Sequence, residues 1–212
     1  MEGDQWYRRS LIRSDQIANR RVVIFLDWTN GENLSILDTC SPPEHMRVFG
    51  IDPGSTATGY AVVERVGGRF RLLTAGVIRT KSKEPVPDRL HTIHAGLVAQ
   101  LTVADVDCVA IESIFRHRSS ESAIRLGQAR GVALLAAAQH NLAVHEYNAM
   151  TVKKTVGGHG RADKSNVARV VARLLGVDHD LASDASDAAA IAITHLMHHP
   201  FQRMPLQRRA SR

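Results

Sequence analysis

Cysteine is almost missing. The 212 residues hold two, Cys40 and Cys108, too few for a disulfide framework and in keeping with a reducing compartment. No apolar run approaches the roughly 20 residues that a membrane-spanning helix needs. Near the N-terminus, scattered arginines precede only the short run Val22-Val23-Ile24-Phe25-Leu26, which is too brief for the apolar core of a signal peptide. The expected location is the cytoplasm, with no membrane partner. Internal repeats and low-complexity tracts are absent too, which excludes repeat architectures.

What is present suits a packed globule. Hydrophobic residues make up 44% of the chain, and its length allows one domain or one and a piece. The net charge of +6 points to a polyanionic partner. Residues 1–45 are acidic, with five arginines against seven acids, whereas residues 200–212 carry four arginines and no acid. The stretch between them is only mildly basic, so a nucleic-acid surface there must be a patch. Residues 1–45 read as an N-terminal extension outside the fold, closed by Ser41-Pro42-Pro43, with 46–199 as the domain and 200–212 as a basic tail. Met46 is placed as the start of the domain proper, or of translation itself. Whether the extension adds a strand is left open.

From Met46 the pattern is regular. Strands are predicted over 47–52, 58–65 and 69–79, the last two joined by Gly67-Gly68. A helix follows over 88–102, with Leu90, Ile93, His94, Leu97 and Leu101 on one face. A fourth strand over 106–112 precedes a long helix over 119–140, and a short fifth strand over 142–145 precedes three more helices, of which the last two cover 164–175 and 184–198. The long helix is apolar all round in its second half, so it needs cover on two sides, one from the sheet and one from a second subunit. The expected fold class is α/β, a ribonuclease-H-like mixed five-stranded sheet with helices on both faces.

Acids sit where such a sheet places its sites. Val48-Phe49-Gly50-Ile51-Asp52 is an apolar strand that ends on a carboxylate and breaks at Pro53-Gly54. The fourth strand likewise ends on Glu112. If the two strands are neighbours, the two acids meet. Asp184 and Asp187 are three apart at a helix start and share a face, although Asp184 alone reads equally well as a helix cap. Four converging carboxylates repel one another unless a dication neutralises them. With no nearby cysteine, the ion is a hard one, Mg²⁺ or Mn²⁺, and a two-ion phosphodiester site is the expected chemistry.

Gly50-Ile51-Asp52-Pro53-Gly54-Ser55 with Thr58-Gly59-Tyr60, then Ala110-Ile111-Glu112, Leu126-Gly127-Gln128-Ala129-Arg130-Gly131 and Asp184-Ala185-Ser186-Asp187-Ala188 together resemble the RuvC family of Holliday-junction resolvases. The likeness runs from Met46 to about His199. It implies a homodimeric, metal-dependent endonuclease that nicks opposing strands of four-way junction DNA, leaves 5′-phosphates, and works beside the RuvA and RuvB branch-migration proteins. It also assigns the family's four acidic roles to Asp52, Glu112, Asp184 and Asp187. Asp184 is left between binding metal and orienting water.

DNA-facing candidates lie in two groups. Phe115, Arg116 and Arg118 follow Glu112 in a basic loop. Phe115 is either a core residue or, as the resemblance implies, a probe of the junction centre. Lys153, Lys154, Arg161 and Lys164 flank Gly157-Gly158-His159-Gly160 and a helix start near Ser165, a phosphate site in prospect. The resemblance favours Lys153 and Lys164 among them, and the others read equally well as solvated surface. His195, His198 and His199 have ligand-like spacing, yet nothing in the sequence completes a zinc site, and a helix C-terminus favours histidine for its dipole, so they are left out. Two rivals fit less well. An actin-like phosphotransferase needs a second glycine-rich phosphate loop, and a non-enzymatic DNA-binding module leaves four acids facing a polyanion unexplained.

Overall fold

The computed structural model describes residues 10–17, 20–26, 45–113, 120–158, 163–177 and 181–199. Two units divide the chain, a smaller one containing the first two strands and a larger one beginning at His45. In the smaller unit β1 (Ser10–Ile17) pairs antiparallel with β2 (Arg20–Leu26), and these form a sheet of their own. The extension therefore adds no strand to the main sheet among the described residues.

The larger unit holds β3 (His45–Asp52), β4 (Ala57–Val66), β5 (Arg69–Arg79), α1 (Val86–Val103), β6 (Cys108–Glu112), α2 (Ser120–Gln139), β7 (Ala143–Tyr147), α3 (Ala149–Gly157), α4 (Lys164–Leu175) and α5 (Ser183–His198). Its five strands lie in the order β5-β4-β3-β6-β7. The first three form an antiparallel meander, turned at Gly67-Gly68, whose positive φ angles of 54° and 85° suit glycine in a tight hairpin. From β3 the sheet becomes parallel through β6 to β7, with helices as crossovers. Among the described residues no helix is long and apolar enough to cross a membrane.

Alternation along the strands builds a core on each face. Phe49, Ile51, Val109 and Ile111 point toward α1 and α2, joining Ile93, Leu97 and the alanines Ala129, Ala133, Ala136 and Ala137. Val48, Cys108 and Ala110 point the other way, toward α3, α4 and α5. Burying each large apolar side chain contributes about 1.5–3 kcal/mol, so the fully covered central strand anchors the domain. The same alternation turns Asp52 and Glu112 toward α5.

Close approach of α5 is a matter of missing side chains. A Cβ on Gly50 would overlap the carbonyl oxygen of Ala188, and one on Gly59 would overlap that of Asp184. Gly59 is the register partner of Asp52. The start of α5 thus lies directly over the strand pair that carries Asp52.

One buried charge was not anticipated on the inner face of α1. Arg89 is 4% exposed and donates to the carbonyl of Ser55 and to Thr80 Oγ1. Thr58 Oγ1 donates to the Gly54 carbonyl at 2.8 Å, so Arg89, Thr80 and Thr58 together fix the turn that follows Asp52. Among the described residues, nothing supplies the expected second cover of α2. Ile124 and Leu135 stand 61% and 50% exposed, and no described atom lies within 4 Å of where a Cβ on Gly127 or Gly131 would sit.

Glycine in a strand interior costs about 0.5–1 kcal/mol relative to alanine, whereas forcing an extra carbon into a closed contact costs about 1–3 kcal/mol. At Gly59 the overlap is with backbone, which cannot rotate away, so the second effect wins. Gly59→Ala is expected to lower unfolding free energy by about 1 kcal/mol or more in urea titrations. Equal or greater stability would refute the close approach.

Candidate active site

Three elements deliver carboxylates to one place. Ile51 and Ile111 are register partners on neighbouring parallel strands, so Asp52 and Glu112 emerge together at the carboxyl end of the sheet. Asp187 comes from the first turns of α5, held over that end by the glycine contacts. Asp52, Glu112 and Asp187 line a cavity of about 210 Å³ together with Lys153 and Lys164. Asp184, also on α5, is not part of that wall, although its charge reaches Asp52.

The electrostatics of the group are lopsided. Burial first, then the charges of Glu112, Asp187 and Asp184, push the Asp52 carboxyl up to about 8, with Lys164 opposing. Lys164 Nζ donates to Asp187 Oδ2 at 2.7 Å, and that bond raises the pKa of the lysine. Arg130 supports the site from behind, bonding the Glu112 carbonyl at 3.4 Å and the Glu146 carboxylate at 2.6 Å. It is a brace between α2 and the sheet.

Several sequence expectations need correction here. The N-cap of α5 is Ala182, so Asp184 lies inside the first turn and makes no capping bond. The start of α4 is no open phosphate site, because Asp163 caps it, accepting from the Asn166 N–H at 2.9 Å and from Ser165 Oγ at 2.7 Å. Lys154 is exposed and not part of the cavity wall, whereas Lys153 and Lys164 are. Phe115, Arg116, Arg118 and Arg161 lie outside the described residues. His195, read from its place near a helix C-terminus as favoured by the dipole, is 1% exposed and contacts Cys108 and His145, two residues whose spacing in the chain does not suggest it.

The anionic groups lining the cavity are carboxylates, and burial together with their mutual repulsion holds the Asp52 carboxyl up to about 8. Such a set fits a hard dication, which would bring positive charge among the carboxylates. A mixed sheet with acids at the ends of its two adjoining parallel strands, and further acids on the helix crossing them, is the ribonuclease-H-like class of α/β domain. The family model described as crossover junction endodeoxyribonuclease RuvC matches residues 48–195. RuvC of Magnetococcus marinus is 45% identical over 151 residues, covering 71% of this chain and 84% of that protein. RuvC of Histophilus somni is 48% identical over 148 residues, covering 70% and 78%. Among solved structures, Thermus thermophilus RuvC in complex with Holliday junction substrate superposes with a TM-score of 0.69 at 39% identity, over 72% of this chain and 94% of that one. The yeast mitochondrial Holliday junction resolvase, at 14% identity and a TM-score of 0.52 over 70% and 77%, shares the fold. The chain belongs to the RuvC family, the crossover junction endodeoxyribonucleases.

A carboxyl with a raised native pKa binds its proton more tightly folded than unfolded, so its contribution to stability falls as pH rises from about 4, the ordinary aspartate value, to about 8. In EDTA, the thermal midpoint of Asp52→Asn is expected to gain on that of the parent steadily between those limits. A difference that stays flat with pH would show that Asp52 is not strained by its neighbours.

Proposed function

We propose that this chain resolves four-way DNA junctions by hydrolysing one phosphodiester in each of two opposing strands, leaving 5′-phosphate and 3′-hydroxyl ends. The observation that carries the reading is the meeting of Asp52, Glu112 and Asp187 at one open cavity beside two lysines. Four-way junction DNA is the substrate because the chain belongs to the RuvC family and is similar to a RuvC solved with that DNA.

Asp52, at the end of the central strand, would be the ligand common to two ions, with Glu112 and Asp187 completing one each. Asp184 either binds metal or orients the attacking water. A pair of Mg²⁺ or Mn²⁺ ions held there would supply an activated water at neutral pH and steady the leaving oxygen. Lys164 now neutralises Asp187, and its exposed ammonium is placed to face a phosphate once that carboxylate is otherwise engaged. Lys153, on the same cavity wall, supplies a second phosphate contact. Phe115, Arg116 and Arg118, in the stretch of sequence after Glu112, are assigned as further DNA contacts.

Paired incision needs two sites, and α2 offers the surface for a two-fold partner. Ile124, Gly127, Gly131 and Leu135 form one open stripe at helical spacing, small enough in its middle for another backbone to approach. The proposed protein is a homodimer that works beside RuvA and RuvB in the cytoplasm. Residues 1–45 and 200–212 are assigned outside the nuclease domain, a division supported by the separate β1–β2 unit and by a family match confined to 48–195.

The test is a labelled junction and a linear duplex, each incubated with Mg²⁺, Mn²⁺ or EDTA. The expected result is symmetric nicking of the junction alone, dependent on the ion. Asp187→Asn is expected to keep junction binding while slowing cleavage about 10²-fold or more, the scale of losing one transition-state stabilising group. Binding without cutting by the parent protein in every ion would favour a DNA-binding module instead. For the dimer, Ile124→Glu is expected to shift sedimentation from dimer to monomer, and an unchanged dimer would move the interface elsewhere.

A further inference from the structure

Away from the carboxylates, the opposite end of α5 gathers a second and chemically different set of side chains. Cys108 opens β6, His145 lies in β7, and His195 is on the last turns of α5. One ligand atom from each can be chosen so that all three lie within 4.8 Å of one another. Glu112 is four residues along β6 from Cys108, about 13 Å at the strand rise, and Asp187 is eight residues along α5 from His195, about 12 Å at the helix rise. The two groups are separate sites.

We propose that Cys108, His145 and His195 bind a borderline-soft transition-metal dication, Zn²⁺ or one of its chemical class, in a structural site that no carboxylate of the nuclease cavity shares. The donors are a thiol and two imidazoles, the set that selects such ions over Mg²⁺. Cys108 Sγ and His195 Nε2 are 3.3 Å apart. Bonds of about 2.3 Å to sulfur and 2.0–2.1 Å to nitrogen in a tetrahedron place ligand atoms roughly 3.3–3.7 Å from each other, so this pair is already at ligand spacing. His145 needs to close by about 1 Å, within reach of a side-chain rotation.

The surroundings support the donors. The Tyr147 hydroxyl lies 2.9 Å from His195 Nδ1, and accepting that N–H leaves the Nε2 lone pair aimed at Cys108. The ring of His199 stacks on that of His195 at 4.5 Å and lies 5.4 Å from that of His145, and a water would take the fourth position. Burial, then His145, His199 and His198, push His195 down to about 4, so it is neutral and able to ligate at ordinary pH. Burial, then Asp107, push Cys108 up to about 12, so without a cation it stays a thiol. On binding, the S–H bond breaks, sulfur bonds the ion, and one proton leaves to solvent. The bland account is a Cys108 S–H donating to His195 in a filled core. It explains the pair, but not the further imidazole of His145 converging on it.

Such a site would tie β6 and β7 to the C-terminal end of the helix whose other end carries Asp187. The probe is Co²⁺ added to the full-length, metal-stripped chain in excess Mg²⁺. The expected result is one equivalent bound, with a thiolate-to-cobalt charge-transfer band in the near ultraviolet and tetrahedral visible bands. Cys108→Ser and His145→Phe are expected to abolish the band, Asp187→Asn to retain it, and Tyr147→Phe to weaken binding about 10- to 100-fold. Zn²⁺ should raise the thermal midpoint of the parent and not that of His145→Phe. Should Cys108→Ser fail to fold, as judged by circular dichroism, His145→Phe at its half-buried strand position decides alone. No thiolate band in the parent, a band that survives His145→Phe, or cobalt lost only with Asp187→Asn would each overturn the proposal.

Discussion

The contact on which the rest depends is the one between α5 and the strand pair β3–β4, where Gly50 and Gly59 leave no side chain to hold the helix off. Backbone meets backbone, so the first turns of α5 lie directly against the strand pair that carries Asp52. Everything chemical about the cavity follows from that spacing. A helix held one side-chain layer further out would leave Asp187 too remote to crowd Asp52, and the reason for a dication would go with it. The braces elsewhere serve the same end: Arg89, Thr80 and Thr58 fix the turn after Asp52, and Arg130 fixes the backbone of Glu112.

Like charges brought together in this way are unstable by design. The strain is visible in Asp52, which burial and its neighbours push up to about 8, and in Lys164, drawn onto Asp187. Stability and the proposed function pull in opposite directions here, since the crowding that disfavours the metal-free fold is what would seat a divalent cation. The fold tolerates it because the central strand is buried on both faces by apolar side chains whose contributions far exceed one raised carboxyl.

Much of this was legible in the sequence, for local reasons. Strands ending in an acid and then a breaker, the Gly67-Gly68 turn, and the apolar period of the helices each reside in a few consecutive residues, and the elements fall within a few positions of where those signals put them. The acids could be nominated because they ended strands or opened a helix. What failed were features set by residues far apart. Gly50 and Gly59 could be read as part of a family pattern but not as the floor under α5. Arg89 has a charge that composition assigns to the surface, yet it finds two acceptors in a turn and a strand end. Asp184 has the residue type of a cap, but the helix begins one residue earlier, at Ser183, with Ala182 at the cap position. Cys108, His145 and His195 come from three distant stretches, and only the parallel register of β6 and β7 beneath the end of α5 brings them together.

The central claim is that side chains from β3, β6 and α5 share one pair of divalent ions. Anomalous diffraction from crystals equilibrated with Mn²⁺ measures it most directly. The account predicts two manganese peaks about 3.5–4 Å apart, with Asp52 oxygens touching both and Glu112 and Asp187 touching one each. Manganese bound anywhere else, or coordinated without Asp187, would contradict it.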